Sequence, residues 1–192
     1  MEDLLYENQV IKELQANFLE DIIDAIVQRK KRVIFKVKNN KIESILLFLK
    51  EKMGFLHLSH ISCVDWIEEN RFELIYILWH PQEKINVFVK IDVDRLKPVA
   101  PNIDYIWEHA NTYERELREM YGIEFKGLVG RQELILEDWD GMPPMRRDFD
   151  TLQYVMENYT FRSGREDAQD VRETIANRTG EEIPEFAKKY SR

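Results

Sequence analysis

Two clusters of charged residues have the types and spacing to do chemistry or recognition. In Glu114-Arg115-Glu116-Leu117-Arg118-Glu119, Glu114 precedes Arg118 by four residues and Arg115 precedes Glu119 by four, the separation at which helical side chains meet. Such pairs contribute only ~0.2–0.5 kcal/mol each, too little to account for the cluster as a stability device. It reads either as a solvated helix face or as a polar surface whose carboxylates meet basic groups on another chain. The second cluster is Pro143-Pro144-Met145-Arg146-Arg147-Asp148-Phe149. Two prolines hold the backbone extended and reduce the entropy lost on docking. The guanidiniums of Arg146 and Arg147 offer planar donor forks to carboxylates or carbonyls, with Asp148 and the apolar Phe149 behind them.

Catalytic templates fail. There is no phosphate-cradling GxxxxGK[ST], no GxGxxG and no GxSxG. His57 and His60 are three apart on a predicted strand, so they are expected on opposite faces and badly placed to share a metal. Asp92 and Asp94 near a strand end suit a magnesium ion but lack a third carboxylate. Cys63 is the single cysteine, which excludes a disulfide framework and any cysteine-held iron–sulfur cluster in this chain alone; a buried, inert thiol is expected.

The elements that must carry these clusters follow from periodicity. Ile42, Ile45, Leu46, Leu49 and Met53 mark a helix ended by Gly54, and Ile106, Trp107, Ala110, Tyr113, Leu117 and Met120 mark a second over about 103–121, ended by Gly122. Strands are expected at Arg32–Lys38, Phe55–Ile61, Phe72–Trp79 and around Ile85–Ile91, the last two joined as a hairpin. The segment Leu19–Val27 fits helix or strand. The fold class is therefore α+β, a mostly antiparallel sheet with helices packed on one face. Four of the seven glycines fall between Gly122 and Gly141, and the chain is expected to divide into a domain over 1–125 and an extended, partner-wrapping tail over 126–192. In that tail Ala168, Val171 and Ile175 make a short helical stripe, whereas 151–163 shows no clear period.

The chain has 192 residues, 44% of them hydrophobic, enough to bury a real core. Its net charge of −8 argues against a general nucleic-acid binder. No apolar run approaches the ~18 residues of a membrane-crossing helix, and the acidic start Met1-Glu2-Asp3 lacks signal-peptide character. The expected protein is soluble by itself and reaches a membrane only through a partner.

The run from Glu114 through Met120-Tyr121-Gly122-Ile123-Glu124-Phe125-Lys126-Gly127 strongly resembles the signature of the 30-kDa subunit of respiratory complex I. Trp139-Asp140-Gly141-Met142-Pro143-Pro144-Met145-Arg146-Arg147-Asp148-Phe149 resembles that family's closing motif. Asp65-Trp66, Phe72-Glu73-Leu74-Ile75-Tyr76 and Trp107-Glu108-His109-Ala110-Asn111 match upstream in order and spacing. Leu128-Val129-Gly130 and Gln132-Glu133-Leu134-Ile135-Leu136 depart from the respiratory pattern, as do Met145 and Arg147. These departures resemble subunits of ferredoxin-fed [NiFe] hydrogenases and their sulfur-reducing relatives.

The resemblance implies a non-catalytic subunit without a cofactor of its own, on the cytoplasmic side of the cell membrane. Its implied partners are a large subunit of the 49-kDa or [NiFe] type, an iron–sulfur small subunit and other peripheral-arm subunits. Iron–sulfur clusters, and in the hydrogenase branch a NiFe centre, would reside in those partners. Glu114, Arg115, Glu116, Glu119, Arg146, Arg147, Asp148 and Phe149 are then expected to touch a partner. Alternatives are the same subunit of a quinone-reducing NADH dehydrogenase, a stand-alone carboxylate–metal enzyme, and an acidic binding module.

Overall fold

The computed structural model describes residues 4–130 and 132–159. Helix α1 (Leu5–Phe18) leads into a hairpin of β1 (Ile22–Arg29) and β2 (Arg32–Val37), followed by α2 (Ile42–Glu51). The strands β3 (His57–Trp66), β4 (Arg71–His80) and β5 (Ile85–Asp94) form a meander. A short β6 (Val99–Pro101), α3 (Ala110–Tyr121), β7 (Glu124–Lys126) and α4 (Thr151–Asn158) complete the described elements. Five strands form one sheet in the order β1-β2-β5-β4-β3, antiparallel except where β2 runs parallel to β5, and β6 and β7 make a separate parallel pair.

Alternation determines what each face of the sheet meets. Val33 and Phe35 of β2, Val87, Val89 and Ile91 of β5, and Leu74, Tyr76 and Leu78 of β4 are fully buried on one face. They share a core with Val10 and Leu14 of α1 and Ile42, Ile45, Leu46 and Leu49 of α2. The ambiguous Leu19–Val27 segment resolves as turn and strand, because Ala25 and Val27 must lie beside Phe35 and Val33 in the pairing. Helix α1 itself has only two apolar residues and Glu7 on its buried side, too weak a stripe to read from the sequence.

A bulge corrects one expectation. The register of β3 against β4 slips between Leu58 and His60, so His57 lies opposite Trp79 and His60 opposite Ile77, on the same exposed face. There His57 stacks on His109 at 6.1 Å, and His60 meets Tyr113 edge-on at 5.0 Å. Among the described residues no group of three or more His, Cys, Asp or Glu side chains is arranged to hold a metal ion.

The chain forms two compact units, Met1–Phe149 and Asp150–Arg192. The first closes at Phe149, beyond the boundary expected at 125, because the 132–149 segment hydrogen-bonds back onto α3 and β3. In the second, Asp150 caps α4 by accepting the Gln153 N–H at 2.9 Å. The stripe expected from Ala168, Val171 and Ile175 lies outside the described residues.

Candidate partner-binding surface

Helix α3 lies along the outer edge of β3 and covers it with side-chain donors. The Trp107 indole, just before the helix, donates to the Leu56 carbonyl at 2.9 Å, the Tyr113 hydroxyl to Ser59 at 3.2 Å and the Tyr121 hydroxyl to Cys63 at 3.4 Å. His109 Nε2 is 2.8 Å from the Leu58 oxygen. An open strand edge, otherwise a template for unwanted pairing, is thereby closed.

The acid–base cluster of α3 divides between the interior and the loop that follows. Glu114, expected to touch a partner, is fully buried within the chain: Oε1 accepts the Ile103 N–H at 2.7 Å, and Oε2 has no hydrogen-bond partner among the described residues. Burial pushes its carboxyl up to about 8, against the lowering effect of the Ile103 N–H and with a further rise from Asp104. Arg115 and Glu119 do not form the expected i,i+4 bridge. Arg115 donates to the carbonyls of Gln132 and Glu133 at 3.0 and 3.3 Å, while Glu119 accepts the N–H groups of Leu134, Ile135 and Leu136 at 2.6, 2.9 and 3.1 Å. Burial opposes the Glu119 charge, but these N–H groups and Arg118 together hold its carboxyl below the usual range. One helix face thus grips the 132–136 turn by both its acceptors and its donors.

The proline–arginine segment folds back in the same way. Its Met145 N–H donates to the Met120 carbonyl at 3.0 Å and Arg146 Nε to the Tyr121 carbonyl at 2.8 Å, satisfying acceptors that the end of α3 leaves free. Gly122 takes the left-handed φ of 75° there, and a β-carbon on it would sit 3.1 Å from Pro143. The Arg146 guanidinium lies 5.3 Å over the Phe72 ring. Arg147 donates its N–H to Asp65 at 2.9 Å and bonds Glu68 at 2.9 and 3.0 Å. Asp148 accepts from Arg95 at 2.6 Å, which holds its carboxyl below the usual range. Phe149 packs against Trp139 at 5.9 Å. Arg146, Arg147 and Asp148, expected to touch a partner, thus also bond within the chain, to the end of α3, to Asp65 and Glu68, and to Arg95.

Other candidates are likewise occupied. Asp92 bonds Lys36 at 2.8 Å and Arg71 at 2.7 Å, and Asp94 accepts the Leu96 and Lys97 N–H groups at 2.7 and 3.1 Å, so neither carboxylate waits for a cation. Cys63 is buried, and burial, then Asp65, pushes its thiol up, away from reactivity.

Mixed polar and apolar surface remains exposed on the first unit, and an apolar stripe on α4. A groove of about 350 Å³ between β3 and α3 is lined by His60, Ser62, Cys63, Glu116, Met120 and Met145. Glu116 has no ion-pair partner among the described residues, and Met142 and Met145 are exposed. Helix α4 has no buried residue: Leu152, Val155 and Met156, at i, i+3 and i+4, are 44–70% exposed, and Tyr159, in extended backbone just past the helix, is exposed too. Sequence reasoning missed this stripe, although its period is present.

The family described as respiratory-chain NADH dehydrogenase, 30 Kd subunit, matches residues 35–155. The C/D 2 subunit of the NADH-quinone oxidoreductase of Aquifex aeolicus is 35% identical over 60% of this chain, which spans only 20% of that protein. The F(420)H(2) dehydrogenase of Methanosarcina mazei has a C subunit that is 29% identical over 73% of this chain and 90% of its own length. A chain in the structure of the membrane-bound sulfane sulfur reductase, an archaeal respiratory membrane complex, superposes with a TM-score of 0.72 at 28% identity, covering 86% of this chain and 95% of its own. The Nqo5 fragment shares the fold, with a TM-score of 0.56 at 22% identity over 64% of this chain and 97% of the fragment.

Proposed function

Because the chain belongs to the 30-kDa subunit family of the respiratory-chain NADH dehydrogenase, we propose that it is a non-catalytic peripheral-arm subunit of a complex-I-like, membrane-bound oxidoreductase. We assign it to the ferredoxin-linked hydrogenase or sulfur-reductase type, on the cytoplasmic side of the membrane. In this reading it packs on the large subunit, near the iron–sulfur small subunit, and supports electron transfer coupled to ion translocation. The iron–sulfur clusters and any NiFe centre belong to those neighbours. The sulfur-reductase branch is favoured by the match that spans nearly all of both chains. The same subunit of a quinone-reducing NADH dehydrogenase is the second reading, favoured by the relatives that belong to NADH-quinone oxidoreductases.

The observation that carries the proposal is the exposed apolar stripe of α4, together with a first unit in which Arg146 and Asp148 of the closing motif already bond Tyr121 and Arg95. An amphipathic helix with its apolar side in water gains stability chiefly by laying that side on another protein. The internal bonds serve the same end indirectly: a rigid first unit loses little freedom when a neighbour binds it. Among the described residues no helix is long and apolar enough to cross a membrane, so the proposed attachment runs through protein contacts.

The test is fractionation of detergent-solubilised membranes, followed by identification of the chains that migrate with this one. A co-migrating large subunit with nickel-binding cysteines or their degenerate equivalents is expected. A monomer outside every large assembly overturns the proposal, and a quinone-type large subunit selects the second reading.

A further inference from the structure

Among the described residues α3 reaches the face of the five-stranded sheet opposite the core at the edge strand β3, where Tyr113 meets His60, and a row on the other four strands stays solvent-accessible. Cross-strand register places Ile26 of β1 beside Ile34 of β2, Ile34 beside Phe88 of β5, and Phe88 beside Ile77 of β4. This row crosses four strands and retains solvent access throughout, with Ile26 46% exposed, whereas the neighbouring residues Val33 and Phe35 of β2, Val87 and Val89 of β5, and Tyr76 and Leu78 of β4 are sealed. Trp79 and Ile75 flank it on β4.

Charge differs at the two sides of the row. On one, Lys36 meets Asp92 and Lys90 meets Glu73, each at 2.8 Å, so these cations are neutralised within the sheet. On the other lies the β1–β2 hairpin tip, Arg29-Lys30-Lys31-Arg32, joined to the β4–β5 turn with Lys84 by the Asn86 N–H donating to the Lys31 carbonyl at 3.0 Å. Arg29, Lys30, Lys31 and Lys84 are exposed and make no ion pair among the described residues. The carboxylates beside them are few: Glu7 is buried and accepts the Lys31 N–H at 2.7 Å, fixing the left-handed tip, and Glu83 stands in the neighbouring turn. Arg32 ties tip to row, its guanidinium 4.8 Å over the Phe88 ring. A concentrated basic tip on a chain of net charge −8 is a selective feature.

We propose that this open face and basic tip form a second docking surface, occupied by an acidic amphipathic helix of a neighbouring protein subunit. The inference rests on the subunit reading above and adds a partner chemistry to it. Four strands span roughly 14 Å at ~4.8 Å spacing, the length of about nine or ten helical residues. A helix laid across the strands would place i, i+3/i+4 and i+7 apolar side chains on the row and carboxylates at the tip. A nucleic acid or lipid headgroup would use the cations and leave the apolar row in water.

The test replaces Phe88 with the photo-cross-linker p-benzoylphenylalanine in the complex isolated from its host. The cross-linked peptide is identified by mass spectrometry. The expected product is one peptide of another subunit, net negative and with apolar residues at helical spacing. Its yield should fall about tenfold in R29E/K30E/K31E, and also in the milder R29E/K30E should the triple variant fold poorly. The chain should still co-migrate with the complex through its other contacts. Cross-linking to lipid or nucleic acid, no protein adduct, or a yield unmoved by charge reversal overturns this proposal while leaving the subunit reading intact. Absence of the chain from every complex overturns both.

Discussion

Asp65 holds Arg95 through two hydrogen bonds, Nε to Oδ1 at 2.8 Å and Nη2 to Oδ2 at 3.2 Å, with both side chains nearly sealed from solvent. The pair joins the end of β3 to the end of β5, and it also fastens the chain's closing motif: Asp65 Oδ2 accepts the Arg147 N–H, and Arg95 Nη2 donates to Asp148. The hydrogen bond to Asp65, then that to Asp148, raises the guanidinium's affinity for its proton. Residues 82 positions apart in sequence are thus one structural unit.

Removing one partner of a buried pair leaves the other charge uncompensated, at a cost of ~3–5 kcal/mol. Arg95→Ala is expected to lose about that much in urea unfolding, with early proteolysis after residue 126. Arg147→Ala, whose side chain among the described residues pairs with the exposed Glu68, is expected to lose under ~1 kcal/mol. Equal losses would show that Arg95 does not hold the segment.

Glu114 makes stability depend on pH. Its folded-state carboxyl titrates near 8 against an ordinary 4.5, so the folded chain holds the extra proton between those values. Stability is therefore complete below about 4.5 and declines as pH rises towards 8, by at most ~1.4 kcal/mol per pH unit. Glu114→Gln, which keeps an acceptor for Ile103 without a titrating proton, should flatten that slope. Melting curves from about pH 5 to 9 decide it, an unchanged slope counting against a buried neutral Glu114.

At Gly122 any side chain meets both a left-handed backbone and Pro143. Gly122→Ala should cost ~1–2 kcal/mol from the backbone alone, with a further loss as Pro143 shifts and the Arg146–Tyr121 bond lengthens. Chemical denaturation gives the first quantity, and hydrogen exchange at Met145 reports the second.

Glu119→Ala should act locally. The N–H groups of Leu134, Ile135 and Leu136 lose their acceptor, and their exchange protection should drop about tenfold or more while the sheet's stays unchanged.

Strand alternation, the α2 stripe and the Ala110–Met120 part of the α3 stripe were legible because each element buries one regular face, whereas Ile106 and Trp107, expected on the helix, lie in the turns before it. Glu114 was not, since an E-R-E run reads as solvated surface. Yet it sits four residues after Ala110 and three before Leu117, in the middle of the buried stripe, and that position was the available signal. The Ser59 bulge and the parallel β2–β5 pairing depend on contacts between distant segments and leave no local pattern. The charge clusters were recognised by type, but not their targets: backbone groups of the 132–136 turn and the α3 terminus are acceptors and donors that no side-chain pattern records.

The central claim is that the chain acts through fit to a neighbour, and α4 is where that is most exposed to test. Native electrophoresis of solubilised membranes should be compared for the wild type and L152S/M156S, which alters two exposed side chains of α4 and none of the first unit's bonds. The account predicts that the wild type migrates with the large subunit, and that the variant, equally stable when isolated, is largely lost from that band. A variant that stays in the complex at wild-type level, or a wild type that never enters one, would contradict it.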